Sequence, residues 1–239
     1  MIADHVLKSL ATKFQTTELN VRREYFQHLF LSYFYQQPLT DHIYFKGGTA
    51  LRTLYNSPRF SEDLDFSASI TDIRALEEAI LETLAAIARE NIHLDLTESK
   101  TTPGGYLAII AFLTNHGPLT IQLEISLRER EKRGEAMTVV SDLVPAYTVV
   151  ALAREQLVDE KIQALLSRKK ARDFYDLYFI LRANLLPAHR RDVLAQVLET
   201  TRQSRIDFQR ELKEFLPRSH WAIIRDFPAP LEREIARFL

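Results

Sequence analysis

The sequence predicts an α+β protein, with a small mixed sheet in the middle of the chain and helices on both sides of it. Apolar residues recur every three or four positions in residues 1–40 and from residue 154 onward, whereas they alternate in several short segments between. The 239 residues are 46% apolar, which is enough for a sizeable core. We expect N-terminal helices in residues 1–40, an α/β core in 41–150 and a helical region in 151–239.

Composition narrows the class of protein. No cysteine is present, which excludes disulfides and thiolate metal sites and fits a cytoplasmic protein. The sequence has neither an apolar run long enough to span a bilayer nor a signal-peptide pattern at its start, so no membrane association is expected. The net charge is −1, but basic residues outnumber acidic ones in residues 160–239, which suggests an anionic partner for that part.

In the first half of the chain, cap and turn residues mark where the predicted helices and strands begin and end. Residues 6–14 and 19–37 have helical periodicity, and Thr17 is placed to cap the second helix. Residues 43–45 are β-branched or aromatic and predict a buried strand, which Gly47 and Gly48 end. A short helix follows to Tyr55, and residues 63–69 then alternate as a strand.

The second half continues with a helix, several strands and then helices only. Residues 72–90 are rich in Ala, Leu and Glu and predict a helix. Alternation between turns predicts three strands at 92–97, 106–114 and 119–126, and one or two more within 137–150. Helical periodicity then predicts helices at 155–168, 171–183, 189–202, 205–216 and 230–239. Tyr175, Tyr178 and Phe179 fall on one of them at core spacing.

The glycine pair is a candidate phosphate site. Gly47 and Gly48 lie between a predicted strand and a predicted helix, where glycine permits a tight turn and close approach of the backbone. The free N–H groups and the dipole of the helix N-terminus favour an anion there. Thr49 could cap the helix or donate a hydrogen bond to a phosphate. Gly-Gly turns are common, so this signal is weak alone.

Two aspartates on the next strand are candidate metal ligands. Asp63 and Asp65 share one face about 7 Å apart, while Leu64 and Phe66 point into the core. A divalent cation between the carboxylates would remove their repulsion. Glu124, on the polar face of a later strand, is the candidate third acid for two-metal phosphoryl transfer.

These motifs together resemble a known family. The segment FKGGTALRTLYNSPRFSEDLDFS, residues 45–67, resembles the nucleotidyltransferase signature of the DNA-polymerase-β-like superfamily. With the second block DEKIQALLSRKKARDFYDLYFIL, residues 159–181, it resembles the AbiEii/AbiGii toxins, which are minimal nucleotidyltransferases of bacterial toxin–antitoxin and phage-abortive systems. The resemblance covers residues 43–182 by motif and implies a polymerase-β-like core.

The resemblance also implies chemistry for individual residues. Mg²⁺ or Mn²⁺ would be held by Asp63, Asp65 and Glu124, and an NTP would donate the nucleotide. Phosphates would be bound by Gly47, Gly48, Thr49 and Lys161, and Asp173 would be a further catalytic residue, although it could instead pair with Lys161 or Arg168. The implied partners are an RNA acceptor, foremost the 3′ end of tRNA, and a cognate antitoxin.

Three other functions fit parts of the pattern. The acceptor could be a protein rather than RNA. A glycosyltransferase also uses Asp-x-Asp to hold a metal on a nucleotide-sugar, but it leaves the Gly-Gly-Thr segment without a role. A binding module that kept the fold without the chemistry is the third, and the intact set of Asp63, Asp65 and Glu124 counts against it. The run from Arg168 to Lys170, together with Arg172, is consistent with RNA contact and equally with a solvated helix junction.

Overall fold

A computed structural model describes residues 2–70, 72–127 and 131–239 of the chain. Its α-helices are α1 Asp4–Lys13, α2 Glu18–Phe34, α3 Gly47–Tyr55, α4 Ile73–Ala88, α5 Arg154–Arg168, α6 Ala171–Arg182, α7 Leu194–Arg202, α8 Phe208–Leu212 and α9 Pro228–Ala236. Its strands are β1 Ile43–Lys46, β2 Leu64–Ala68, β3 Leu94–Thr102, β4 Gly105–Thr114, β5 Gly117–Ser126, β6 Gly134–Val139 and β7 Tyr147–Leu152. Within these residues the protein has the predicted α+β fold.

The seven strands form one mixed sheet in the order β3-β4-β5-β2-β1-β7-β6. Strand β2 pairs parallel with β5 and antiparallel with β1, and β1 pairs parallel with β7. The remaining neighbours are antiparallel. Because β1, β2 and β5 lie side by side in the middle of the sheet, the predicted Gly-Gly turn and both acidic strands share one part of the molecule.

Helix α2 and the sheet form most of the core. Thr17 caps α2 as predicted, accepting a hydrogen bond from the backbone N–H of Asn20. The ring of Phe26 stacks on that of Phe112, with centroids 4.2 Å apart, and Phe34 packs against Phe66 of β2. Each aromatic ring of this size buries about 150–250 Å², so these contacts stabilise the core strongly. The core therefore fixes β2 through its inward-facing residues.

The C-terminal helices extend this core with a group of aromatic residues. Tyr175 and Tyr178 of α6 are buried against Phe227, with centroids 5.7 and 5.6 Å apart, and Phe208 joins this group. The prediction that Tyr175, Tyr178 and Phe179 are core residues is confirmed for the two tyrosines, and Phe179 packs against the core while only partly buried. None of the helices in the described part is both long and apolar enough to cross a bilayer.

Two predicted helices are shorter than expected. Of residues 189–202 only α7 is α-helical, because a 3₁₀ helix, Ala188–Val193, follows Pro187. Of residues 205–216 only α8 is α-helical, with Asp207 as its N-cap and a 3₁₀ turn after it. Segment 137–150 contributes parts of β6 and β7, and β6 already begins at Gly134. The sheet spans residues 43–152, and the division of the chain at residues 40 and 150 stays a prediction.

Candidate functional site

The candidate site is a row of charged residues across three neighbouring strands. Lys46 at the end of β1 lies opposite Asp65 of β2 in the antiparallel register, and Asp65 lies opposite Glu124 of β5 in the parallel register. Directly opposite residues project from the same face of a sheet. The structure therefore brings Asp65 and Glu124 together, as the alternation of their strands predicts.

Asp63 joins this row from the residue that precedes β2. Leu64 and Phe66, which flank Asp65, are both fully buried in the core. Asp63 and Asp65 are thus held on the opposite face by the burial of their apolar neighbours. The site owes its position to the core, because a slip of one residue in β2 would turn both aspartates inward.

Gly47 and Gly48 leave room for side chains of the site. Gly47 has a φ of +83°, and a β-carbon there would meet Asp65, with the Cβ and Cγ of Asp65 at 2.7 Å. A β-carbon at Gly48 would lie 2.5 Å from Nη2 of Arg59 and 2.8 Å from Oγ of Ser61. Helix α3 begins at Gly47, so the first N–H groups of this helix, which lack intrahelical acceptors, are next to the carboxylate of Asp65.

Thr49 has a partner within the protein. Its side chain is buried, and its hydroxyl donates to the carbonyl oxygen of Asp63 at 2.5 Å. It neither caps α3, whose N-cap is Lys46, nor faces an open space in this structure. The hydroxyl instead holds the segment before β2 against the first turn of α3, which fixes the position of Asp63 relative to the glycine turn.

The electrostatics of the aspartates reflect crowding of negative charge. Burial, followed by repulsion from Asp65 and Glu124, raises the pKa of Asp63 to about 6, and the positive charge of Arg172 opposes the rise. Burial also raises the pKa of Asp65, while Lys161 is the foremost of the cations that oppose it. Keeping these carboxylates ionised close to one another therefore costs free energy, and a bound cation would reduce that cost.

Lys161 is buried beside both Asp65 and a second acid. Its Nζ donates to Oδ2 of Asp176 at 2.7 Å, and Arg59 donates to both oxygens of the same carboxylate at 2.8 and 3.0 Å. The three side chains are almost completely buried. Charge and hydrogen bonds from Arg59 and Lys161 lower the pKa of Asp176 well below its usual value, although burial alone would raise it. The network connects α5, α6 and the loop before β2.

Asp173 is engaged at the start of α6. Its carboxylate is fully buried, accepts the backbone N–H of Lys170 at 3.1 Å, and receives a bidentate pair from Arg168 with a shortest distance of 2.7 Å. Of the two pairings that the sequence left open, the structure shows the one with Arg168. Lys161 pairs with Asp176 instead. The contacts of Asp173 indicate that it fixes the α5–α6 junction next to the site.

Arg172 is a cation of this junction whose charge acts on both aspartates. Its charge lowers the pKa of both Asp63 and Asp65. Its Nε is buried and has no hydrogen-bond partner within residues 2–70, 72–127 and 131–239. The sequence left Arg172 open between an RNA contact and a residue of a solvated helix junction.

Several residues of the site had no assigned role from sequence. Lys46 stands immediately before the glycine pair, and this adjacency was the available signal. Arg59 lies 117 positions from Asp176, and no local pattern connects residues so far apart. The alternation that revealed Glu124 depends only on its own strand, whereas these pairings depend on how the C-terminal helices dock.

The donor set fits a divalent ion that arrives with substrate. Within the described ranges no three Asp, Glu or His side chains already converge as a closed metal cage. Asp63, Asp65 and Glu124 nevertheless present carboxylates on one face, and burial together with repulsion raises the pKa of Asp63 to about 6. Mg²⁺ prefers one or two carboxylates completed by water and substrate phosphate oxygens. These residues therefore fit Mg²⁺ or Mn²⁺ as partial ligands.

Comparison with known proteins agrees with this geometry. Residues 29–237 match the sequence model of the family described as nucleotidyl transferase AbiEii toxin, type IV toxin–antitoxin system. The match includes the glycine turn, all three acids and the α5–α6 junction. A comparison with curated protein sequences finds no match to the chain.

Solved structures share the fold at low sequence identity. JHP933 from Helicobacter pylori has a TM-score of 0.70 and 20% identity, with 93% of each chain covered. MenT4, a nucleotidyltransferase toxin from Mycobacterium tuberculosis H37Rv, has a TM-score of 0.69 and 18% identity, with 100% of this chain and 90% of MenT4 covered. At these identities the likeness establishes the fold alone.

Proposed function

The chain belongs to the AbiEii family of nucleotidyl transferase toxins, and from this premise we propose that it transfers a nucleoside monophosphate from an NTP to the 3′ end of tRNA in a metal-dependent reaction. Nucleotidyltransferase activity within a toxin–antitoxin system follows from the family. Metal dependence, the tRNA acceptor and a role in phage defence are the proposal. A cognate antitoxin and a cytoplasmic location, where NTPs and tRNA are found, belong to it as well.

One observation carries the proposal. Asp65 lies in register with Glu124 on one side and Lys46 on the other, beside the start of α3, whose first N–H groups have no intrahelical acceptor. Carboxylates for a cation and donors for a triphosphate thus meet at one end of the central strands. If Glu124 were only a surface residue of its strand, there would be no reason for it to lie beside Asp63 and Asp65 on the neighbouring strand.

The roles of the residues follow from their positions. Mg²⁺ or Mn²⁺ held by Asp63, Asp65 and Glu124 would stabilise the negative charge that develops on the transferred phosphate. Glu124, the most exposed of the three acids, would accept the proton of the attacking hydroxyl. The acceptor oxygen forms a bond to the α-phosphorus, the bond from that phosphorus to pyrophosphate breaks, and the proton passes to the glutamate.

Binding and orientation fall to the basic residues and the backbone. The N–H groups of Gly47 and Gly48 would bind phosphate oxygens at the α3 N-terminus. Lys161 is fixed by Asp176, so its charge is directed toward Asp65 with little freedom to move. Thr49 and Asp173 act through the residues they hold, namely Asp63 and Arg168. This positioning lowers the entropy cost of aligning the two substrates.

The α5–α6 junction favours RNA over protein as the acceptor. Arg168, Lys169 and Lys170 are exposed and consecutive, and the charge of Arg172, the second residue of α6, acts on Asp63 and Asp65. A basic loop next to the candidate acids suits the phosphodiester backbone of an acceptor strand. The mixed sheet, with only two parallel pairs among the described strands, gives no support to the glycosyltransferase alternative.

A labelling experiment tests the proposal. The purified chain is incubated with each α-³²P-labelled NTP, total tRNA and MgCl₂, beside Asp65→Asn and beside Asp95→Asn, which removes an exposed carboxylate of β3. We expect label on tRNA with the wild type and Asp95→Asn, and loss of at least a hundredfold with Asp65→Asn or EDTA. Label on protein would identify a polypeptide acceptor. Saturable NTP binding without transfer would leave a binding module.

A further inference from the structure

Two lysines beside the candidate site share one glutamate. Nζ of Lys46 lies 2.7 Å from Oε2 of Glu160, and Nζ of Lys132 lies 3.1 Å from Oε1 of the same carboxylate. The side chains of Lys46 and Lys132 are 16% and 9% exposed, whereas that of Glu160 is 37% exposed. The carboxylate of Glu160, which is more exposed than either lysine side chain, thus bridges two largely buried ammonium groups.

Within this group two ammonium groups face one carboxylate. Lysine is seldom buried, and among the described residues Glu160 is the carboxylate within salt-bridge distance of these two lysines, although the charge of Asp65 also acts on Lys46. A carboxylate that bridges two ammonium groups through its two oxygens stands where two oxygens of a phosphate could stand. Both lysines lower the pKa of Glu160 despite its burial, which shows how strongly they favour an anion at this point.

The position of the lysines relative to the acids suggests which phosphate they would bind. In the sheet, β2 lies between β5 and β1, so Glu124 and Lys46 lie on opposite sides of Asp65. Neighbouring strands are about 4.8 Å apart, so the glutamate and the lysine are separated by roughly 10 Å at the backbone. In-line transfer requires the attacking oxygen and the leaving group on opposite sides of the phosphorus.

We propose that Lys46 and Lys132 form the subsite for the leaving pyrophosphate, and that Glu160 is an internal anion which the triphosphate displaces from them. The inference rests on the proposed nucleotidyl transfer, with the acceptor on the Glu124 side and pyrophosphate on the Lys46 side. Glu160 then competes with substrate and keeps the two ammonium groups from repelling each other before substrate binds. Its place on α5, next to Lys161, lets the same helix contribute to both halves of the site.

Binding of inorganic pyrophosphate tests this subsite without any transfer reaction. Isothermal titration of the intact chain with pyrophosphate and Mg²⁺ compares the wild type with Glu160→Gln and with Lys132→Gln. We expect Glu160→Gln to bind pyrophosphate about tenfold more tightly, because the internal competitor loses its charge, and Lys132→Gln to bind about tenfold more weakly. Glu131→Gln is the matched control for Glu160→Gln. It removes the same charge from an exposed residue that precedes Lys132 in the chain and pairs with Arg133 instead of with the two lysines.

The outcomes separate the two proposals. Equal or weaker binding by Glu160→Gln would overturn the subsite and leave the bridge a structural one, even if nucleotide transfer were observed. Tighter pyrophosphate binding by Glu160→Gln, together with no transfer of nucleotide to tRNA by the wild type, would support the subsite and contradict the proposed tRNA transfer. Should Glu160→Gln not fold, Glu160→Asp retains the charge on an arm too short to bridge both lysines, and tighter binding is expected there as well.

Discussion

Gly47 and Asp65 pack so closely that the glycine has no space for a side chain. A β-carbon at position 47 would meet the carboxylate of Asp65, with two carbons of that side chain at 2.7 Å. Gly47 also has a φ of +83°, a conformation that side chains disfavour. The glycine turn and the acidic strand are therefore one structural unit, and the sequence order of the two motifs reflects direct contact.

Replacing Gly47 with alanine should displace the carboxylate of Asp65 and abolish transfer. The positive φ alone should cost about 1–2 kcal/mol of folding stability. Gly117→Ala is the matched control, because Gly117 has a φ of +93° but nothing within 4 Å of its β-carbon position. Urea unfolding should show the loss due to positive φ in Gly117→Ala and a larger loss in Gly47→Ala, where the new β-carbon also displaces Asp65. The labelling assay should show a loss in Gly47→Ala alone. Equal activity in the two variants would contradict the contact.

The pH dependence of stability should reveal the strained ionisation of Asp63. Its pKa is raised from 3.8 to about 6, so the folded protein binds this proton more tightly than the unfolded chain does. Stability from this group therefore falls as pH rises from 3.8 through 6. Asp63→Asn should be more stable than the wild type by about 1–2 kcal/mol at pH 7.5, after solvent screening, with about a third of that gain at pH 4.5. Urea unfolding at both values measures it, and a gain independent of pH would refute the assignment.

Divalent cations should stabilise the folded chain by offsetting the repulsion between the ionised carboxylates of Asp63, Asp65 and Glu124. Mg²⁺ or Mn²⁺ that binds the folded chain stabilises it by about 1.4 kcal/mol at ten times its dissociation constant. We expect the melting temperature of the wild type to rise with Mg²⁺ and that of Asp65→Asn to stay unchanged. Asp95→Asn, which removes an exposed carboxylate elsewhere, should respond like the wild type. A response of Asp65→Asn equal to that of the wild type would place the ion at another site.

The buried network around Asp176 should contribute strongly to folding stability. Asp176→Asn leaves Arg59 and Lys161 buried without a countercharge, which typically costs about 3–5 kcal/mol. Lys13→Ala breaks the exposed pair with Asp142, whose side chains are 58% and 47% exposed, and should cost less than about 1 kcal/mol. Chemical unfolding of both variants measures the difference. A small loss in Asp176→Asn would mean that water or another group supplies the missing charge.

Sequence reasoning located the acids but not their environment. The alternation of apolar residues in β2 and β5 identified the outward faces of Asp63, Asp65 and Glu124, because strand faces follow from local pattern. The partners of Lys161 and Thr49 could not be predicted, since they depend on how distant elements dock. Lys161 meets Asp176 across a helix junction, and Thr49 meets a backbone carbonyl that no side-chain pattern reports.

Removing the exposed lysines of the α5–α6 junction should weaken acceptor binding through lost phosphate contacts. Lys169 follows α5 with a left-handed backbone conformation, and Lys170 occupies the N-cap position of α6. Both side chains are exposed. The double variant Lys169→Ala/Lys170→Ala should lower the slope of log K against log salt by roughly 2, because each lost phosphate contact removes about one unit. Filter binding of tRNA between low and moderate salt measures this slope.

The control removes two exposed cations from elements outside the candidate site. Lys8→Ala/Arg89→Ala changes the net charge of the chain by the same amount, with one residue on α1 and the other at the C-terminal end of α4. If general electrostatic attraction were responsible for tRNA binding, both double variants would lose affinity and slope alike. If the junction contacts the acceptor strand, only Lys169→Ala/Lys170→Ala changes the slope. Nucleotide binding should be the same in both, because neither pair contacts the charged row across β1, β2 and β5.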